Sequence, residues 1–162
     1  MKSTAHINGH PIHPMLIPYP FAFLTGGTAF DVGAAITGRE EWSDTARHLT
    51  RAGLGSALLA AVPGIVDYFG SVPSHTESKR RATYHALVNV SAITCFAIAE
   101  SQRKRVPSRA GMLFSLAGTG LLSIGGWLGG ELIYHDRIAV QSEAERKSLE
   151  GHAQETARPT VP

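Results

Sequence analysis

The sequence predicts an all-α integral membrane protein whose domain is a four-helix bundle. None of its 15 lysines and arginines falls within four apolar segments, residues 16–37, 52–70, 82–100 and 110–134. Each segment has about 20 residues, which is enough to cross a hydrocarbon core roughly 30 Å thick. A helix on the surface of a soluble bundle needs a polar, charged face. The missing basic residues therefore favour lipid as the surroundings of these helices.

The first apolar segment follows a His- and Pro-rich stretch of residues 1–15. Pro14, Pro18 and Pro20 mark its beginning. Proline is tolerated in the first turn of a helix but lacks the N–H that the helix interior needs. We therefore expect extended or kinked backbone through Pro18 and regular helix from about Pro20.

Small residues at a four-residue spacing predict close packing of the second and fourth helices. Ser56, Ala60 and Gly64 share one face of the second segment, and Gly125 and Gly129 share one face of the fourth. Such faces let helices approach closely in lipid, where the hydrophobic effect no longer drives their association. The glycine pair would also suit the interface of a homodimer.

The third apolar segment carries no charged residue from 82 to 99. The connections between the apolar segments, at roughly 38–51, 71–81 and 101–109, are short, polar and basic. The tail, residues 136–162, is hydrophilic, and its last part has the composition of a disordered segment. Four crossings with short connections place both termini on one side of the membrane.

The charge balance excludes some functions and leaves the membrane orientation open. A formal net charge of +2 without a basic stripe does not indicate nucleic-acid binding. The single cysteine, Cys95, excludes an internal disulfide framework and a zinc site built from several cysteines. Basic residues divide eight to seven between the two sides, so the positive-inside rule assigns no orientation.

Connectivity gathers polar residues at the side of the membrane that bears the termini. Two of these residues precede the first helix, one ends the second, two begin the third and two end the fourth. They are His10, His13, Asp67, His85, Asn89, Glu131 and His135. Ionisable groups at membrane depth are costly and are functional candidates for that reason.

Haem b is the first cofactor that this cluster suggests. Two neutral imidazoles from facing helices can hold a b-type haem from opposite faces of the porphyrin. His85 and His135 lie on different helices at similar depth and are the best-placed pair, with His10 or His13 as a further ligand. Such a protein would be a redox-linked membrane subunit that exchanges electrons with a partner protein. No nucleophile–base pair or phosphate-binding loop indicates an enzyme.

Two other interpretations remain open. His13, His85 and His135 with Glu131 or Asp67 form a nitrogen and oxygen set suited to a zinc, copper or iron ion. Alternatively the polar residues have only structural roles. Histidine and tyrosine commonly anchor helices at the membrane interface, and Asp67 can accept hydrogen bonds without any ligand.

Asp31 stands apart from this cluster. It lies about two thirds of the way along the first helix, toward the opposite membrane face. A carboxylate at this depth should face the bundle interior. We expect it to accept a hydrogen bond from a serine or threonine of a neighbouring helix, with a proton-relay role as the alternative.

Several of these motifs together resemble the bacterial membrane-protein family known as domain of unknown function 2231. They are H-P-I-H-P at 10–14, L-I-P-Y-P at 16–20, Asp31, G-I-V-D at 64–67, His85 and G-W-L-G-G-E-L-I-Y-H at 126–135. The resemblance covers about residues 10–140. It implies a four-helix protein of the bacterial inner membrane, and it carries no settled activity.

The resemblance also suggests an association with redox proteins, because some relatives carry a Rieske-type iron–sulfur domain on the same chain. This chain lacks that domain, since it has one cysteine and no C-x-H pair. It also reads D-R-I-A-V after His135, where relatives usually have the glycine-rich H-G-V-G-V.

Overall fold

Helices form most of the structure, a computed structural model that describes residues 3–103 and 109–138. Within these residues a two-stranded hairpin is followed by one short helix and four long helices. The elements are β1 (His6–Ile7), β2 (His10–Pro11), α1 (Ile12–Leu16), α2 (Pro18–Thr37), α3 (Glu40–Gly70), α4 (Glu77–Ser101) and α5 (Arg109–Tyr134). The predicted all-α bundle is confirmed.

The outer surface of the bundle is apolar, whereas much of its interior is small or polar. Three helices, α3, α4 and α5, are long and apolar enough to cross a membrane, and α2 has 20 residues. Large apolar side chains are exposed on these helices, among them Leu58, Leu59, Val62, Phe69, Leu87, Val90, Leu113 and Trp127. Soluble proteins rarely expose so many large apolar side chains together, and the arrangement fits a bundle surrounded by lipid.

Two helices begin earlier than the apolar segments that indicated them. Helix α3 begins at Glu40 and not near residue 52, so most of the expected connection at 38–51 is helical. Glu40 and Glu41 lie in its first turn, where carboxylates interact favourably with the helix dipole. Helix α4 begins at Glu77 because the Thr76 side chain accepts a hydrogen bond from the backbone of Lys79. The hydropathy of the sequence indicates the part of each helix that lies in lipid, whereas the capping residues determine where the helix begins.

The four long helices form two antiparallel pairs. Helix α2 packs along α3, and α4 packs along α5, with smaller contacts of α2 with α5 and of α3 with α4. Leu24, Ala92, Phe96 and Leu122 form the buried centre between the two pairs. We call α1–α3 the first hairpin and α4–α5 the second hairpin.

An N-terminal strap, residues 3–11, precedes α1 and closes one end of the bundle. Its two strands pair His6 with Pro11 and Ile7 with His10, and the turn between them uses positive φ angles at Asn8 and Gly9. The backbone N–H of Ile12 donates to the Ala5 carbonyl, so the strap leads directly into α1. The predicted polar tail beyond Ile138 lies outside the described residues.

Candidate functional site

His13 of α1 and His85 of α4 face each other inside the bundle. Their ring centres are 6.2 Å apart, and the ring planes are at 89° to one another. The first ring belongs to the first hairpin and the second ring to the second hairpin. We call the end of the bundle that contains this pair the histidine end.

Each imidazole is held by a backbone carbonyl of its own hairpin. His13 Nδ1 lies 2.7 Å from the Ala60 oxygen, and His85 Nδ1 lies 2.9 Å from the Gly125 oxygen. A carbonyl oxygen can only accept, so Nδ1 carries the proton in both rings. In the neutral imidazole, Nε2 is then the nitrogen that keeps a lone pair; that of His85 lies 3.4 Å from Asn89 Nδ2, which can donate to it. Metal-binding histidines commonly donate their second ring N–H to a carbonyl in this way.

Glycines make room for both rings. A Cβ atom at Gly64 would lie 2.8 Å from His13 Nδ1, and one at Gly129 would lie 3.1 Å from His85 Cε1. A Cβ at Gly125 would lie 2.6 Å from the side-chain oxygen of Asn89. The predicted close-packing face of the fourth apolar segment is therefore used within the chain, against α4.

Asn89 fixes the wall beside the His85 ring. Its Nδ2 donates to the His85 carbonyl at 2.8 Å, one helical turn earlier. The same nitrogen lies 3.3 Å from His85 Nδ1 and 3.4 Å from His85 Nε2. Because Nδ1 carries the proton, Nε2 is the ring atom that can accept from it. Asn89 therefore supports the ring from its own helix, in agreement with the i and i+4 spacing in the sequence.

Asp67 anchors the N-terminal strap. Its carboxylate accepts from Ser3 Oγ at 2.8 Å, from the backbone N–H groups of Thr4 at 2.8 Å and Ala5 at 3.0 Å, and from Ser71 Oγ at 3.0 Å. Four donors thus surround a carboxylate that the sequence offered as a metal ligand. In this arrangement the carboxylate joins the strap to the end of α3.

The other candidate ligands lie elsewhere. His135 follows the end of α5, and its side chain is 67% exposed. Its Nδ1 lies 3.3 Å from the Asp136 carboxylate and 3.2 Å from Arg81 Nη1. His10 is exposed on β2, and Glu131 is half-buried near the end of α5.

The structure therefore pairs His85 with His13 and not with His135. The reason is that Gly129 faces the His85 ring, whereas the chain leaves the helix at His135 and turns toward Arg81. Within residues 3–103 and 109–138, no three His, Cys, Asp or Glu side chains are grouped so that they could hold a metal ion. The five residues expected as a metal set are not gathered at one point.

Comparison with models of known protein families shows which family the chain belongs to. A family model described as predicted membrane protein, domain of unknown function 2231, matches residues 9–142. The chain belongs to this family. The match confirms the resemblance seen in the motifs and includes the two facing histidines. No curated protein and no solved structure showed a significant similarity to the chain.

This family member has a second polar site at the opposite end of the bundle, which we call the ion-pair end. Asp31 is 1% exposed and forms a two-point ion pair with Arg103, in which Nη1 contacts Oδ1 and Nη2 lies 3.0 Å from Oδ2. Ser115 Oγ donates to the same carboxylate at 3.1 Å. The serine is the kind of donor expected for Asp31, whereas Arg103 is a partner that the sequence did not predict.

The ion pair extends to the edge of the bundle. Arg103 Nε donates to Glu100 at 2.7 Å, and the more exposed Arg51 donates to the same carboxylate at 2.6 Å. Burial opposes the charge on Arg103, but hydrogen bonds to Asp31 and Glu100 and their negative charges outweigh it and raise the pKa of the guanidinium. Arg103 therefore keeps its positive charge at physiological pH. The Glu100-x-x-Arg103 spacing was the available sequence signal.

Proposed function

We propose that this membrane protein binds one b-type haem between His13 and His85 and exchanges electrons with a partner protein. The distance between the two rings is the observation that carries the proposal. A metal bound at about 2 Å by one nitrogen of each of two opposed rings sets the ring centres roughly 6 Å apart. The ring centres here are 6.2 Å apart.

The number of ligands favours haem over a zinc ion. Zinc usually takes four protein ligands in structural sites and three in catalytic sites. The described part of the chain offers no third His, Cys, Asp or Glu beside the pair. Haem iron needs only two axial ligands from the protein, because the porphyrin supplies the rest. When bound, it would supply one-electron redox chemistry.

The chain's own residues have three tasks in this proposal. The carbonyls of Ala60 and Gly125 hold the imidazoles with Nδ1 protonated, so Nε2 is the nitrogen that would bind the metal. At His85 the metal would replace the contact of Nε2 with Asn89 Nδ2 at 3.4 Å. Gly64 and Gly129 provide the space that the rings occupy. The strap covers the histidine end, where we expect a redox partner to approach. We place the protein in the bacterial inner membrane as a multi-pass protein with both termini on this side.

The test is the absorption spectrum of the full chain, purified in mild detergent after expression with ample haem supply. We expect a Soret band, sharp bands on reduction and one haem per chain by pyridine haemochrome assay. His13→Ala and His85→Ala should each abolish the low-spin spectrum. His10→Ala and His135→Ala are matched controls that should retain it. A wild-type protein without a Soret band, or equal losses in all four variants, refutes the proposal.

The same preparation separates the two alternatives. A bare metal ion, such as two-coordinate copper, would be found by elemental analysis and lost in the His13 and His85 variants. Aromatic rings also pack edge to face at about 4.5–7 Å without any ligand. That structural alternative predicts no cofactor and near-normal assembly of both variants. Either result replaces the haem proposal.

A further inference from the structure

We infer that the bundle is built from two repeats of one helical hairpin, and that Asp31 and Arg103 are equivalent positions whose ion pair sets the spacing of His13 and His85. The first part rests on packing alone. The second part rests also on the proposed haem site, for which the ion pair would be a positioning device and not a ligand.

The two histidines have equivalent surroundings. In each hairpin the imidazole lies against a carbonyl of the second long helix and against the glycine four residues after it. The sets are His13 with Ala60 and Gly64, and His85 with Gly125 and Gly129. The same four-residue spacing between carbonyl and glycine therefore surrounds both imidazole rings.

The same equivalence recurs eleven residues after each histidine. Leu24 of α2 and Phe96 of α4 are fully buried in one cluster. A Cβ at Gly53 would lie 2.6 Å from the Leu24 side chain, and one at Gly118 would lie 2.8 Å from the Phe96 ring. Both glycines stand seven residues before the carbonyl that holds the histidine of their hairpin.

The ion-pair end repeats the relation a third time. Asp31 and Arg103 each follow their histidine by eighteen residues. Each bonds to a hydroxyl of the other hairpin, Asp31 to Ser115 at 3.1 Å and Arg103 to Thr50 at 3.4 Å. Thr50 and Ser115 each precede the histidine-holding carbonyl of their own hairpin by ten residues.

The burial patterns of the second long helices agree with this relation. The buried residues of α5 are each matched by a buried residue of α3, in the same order and at the same spacing. The matched positions are Ala46, Thr50, Gly53, Ala57 and Ala60 in α3, and Gly111, Ser115, Gly118, Leu122 and Gly125 in α5. The sequence retains a trace as A-G-L-G at 52–55 and A-G-T-G at 117–120.

The three equivalent pairs meet where the two hairpins face each other, one at each end of the bundle and one at its centre. His13 meets His85 at one end, Leu24 and Phe96 share the central cluster, and the ion pair lies at the other end. The hairpins are thus related by an approximate two-fold axis along the bundle. The Asp31–Arg103 ion pair joins the hairpins at one end of this axis. It therefore constrains the relative tilt of the hairpins, and with it the distance between the two imidazole rings at the other end of the bundle.

The repeat is tested with matched glycine variants of the full chain in detergent. Gly53→Ala and Gly118→Ala place a methyl group against Leu24 and Phe96 and should both lower the midpoint of thermal unfolding. A Cβ at Gly55 or Gly120 meets nothing within 4 Å, so Gly55→Ala and Gly120→Ala should leave the midpoint unchanged or raise it. Opposite effects within either pair, or equal losses in all four variants, overturn the equivalence.

Positioning is tested by the haem spectrum and its midpoint potential. Asp31→Asn and Arg103→Gln should each shift the potential and convert part of the low-spin haem to high spin. Arg103→Lys, which keeps one charge and one donor, should restore part of the signal. Arg51→Gln removes only the exposed arm of the network and is the matched control.

The outcomes separate the two claims. Lower thermal stability with an unchanged spin state and potential in both single variants overturns positioning and leaves the haem site standing. Wild-type protein without haem refutes the proposed function, and positioning with it, whereas the glycine comparison still decides whether the hairpins are repeats.

Discussion

Removal of the Asp67 carboxylate should release the N-terminal strap and loosen His13. Three strap groups donate to this carboxylate: Ser3 Oγ and the backbone N–H groups of Thr4 and Ala5. Hydrogen bonds to a charged acceptor contribute about 1.5–3 kcal/mol each. The lower value for each of three bonds gives roughly 4.5 kcal/mol. Since about 1.4 kcal/mol is a factor of ten, strap opening in Asp67→Ala should increase on the order of a thousandfold.

The assay is hydrogen–deuterium exchange of the full chain in detergent, followed on the peptide that contains Thr4 and Ala5. The wild-type amides should be protected. In Asp67→Ala the Ala5 amide should exchange at close to the intrinsic rate, whereas the Thr4 amide should lose less protection because it also donates to Ser71 Oγ at 2.8 Å. Asp44→Ala is a suitable control, because Asp44 lies at the other end of α3 in an exposed ion pair with Arg47 at 3.5 Å. Unchanged protection of Thr4 and Ala5 in Asp67→Ala refutes the role assigned to this carboxylate.

Three further predictions concern the two polar sites. Because the rings of His13 and His85 are at 89°, oxidised haem protein should give a low-spin paramagnetic resonance signal with one dominant large g value; three well-resolved g values would indicate parallel rings. Gly64→Ala should reduce haem occupancy, measured by Soret absorbance per chain, because its methyl group would overlap the His13 ring; full occupancy contradicts this. Removing one partner of the Asp31–Arg103 pair should lower the free energy of unfolding in detergent by about 3–5 kcal/mol. The double variant Asp31→Asn with Arg103→Gln should lose less than the sum of the two single losses, and additive losses would exclude the coupling.

Local properties of the chain explain why the fold class could be predicted. Hydropathy and the distribution of charge are properties of short segments, and a lipid-embedded helix satisfies its backbone hydrogen bonds within itself. The four apolar segments therefore identified the four long helices. Their ends were less well predicted, since the first three turns of α3 are polar and are stabilised by acidic residues and packing.

The candidate site was predicted only in part. The connectivity of the helices determines which residues lie at the histidine end, whereas the rotation of each helix about its own axis determines which of these residues contact one another. Alternating helices bring His13 and His85 to one end whatever their orientation. Which histidine faces His85 depends on where Gly129 lies, and this excluded His135. Asp67 was placed correctly at that end, but its partners belong to a strap whose path no local pattern specified.

The sequence by itself determined that this is a helical membrane protein with histidines concentrated at one end, because hydrophobicity and connectivity are encoded residue by residue. Only the tertiary structure decided that His13 opposes His85 and that Arg103 reaches back to Asp31. Both contacts join residues far apart in the chain, and both depend on how closely the two hairpins approach. That approach depends on the cluster of Leu24, Ala92, Phe96 and Leu122 between the hairpins, which forms only when all four helices pack together.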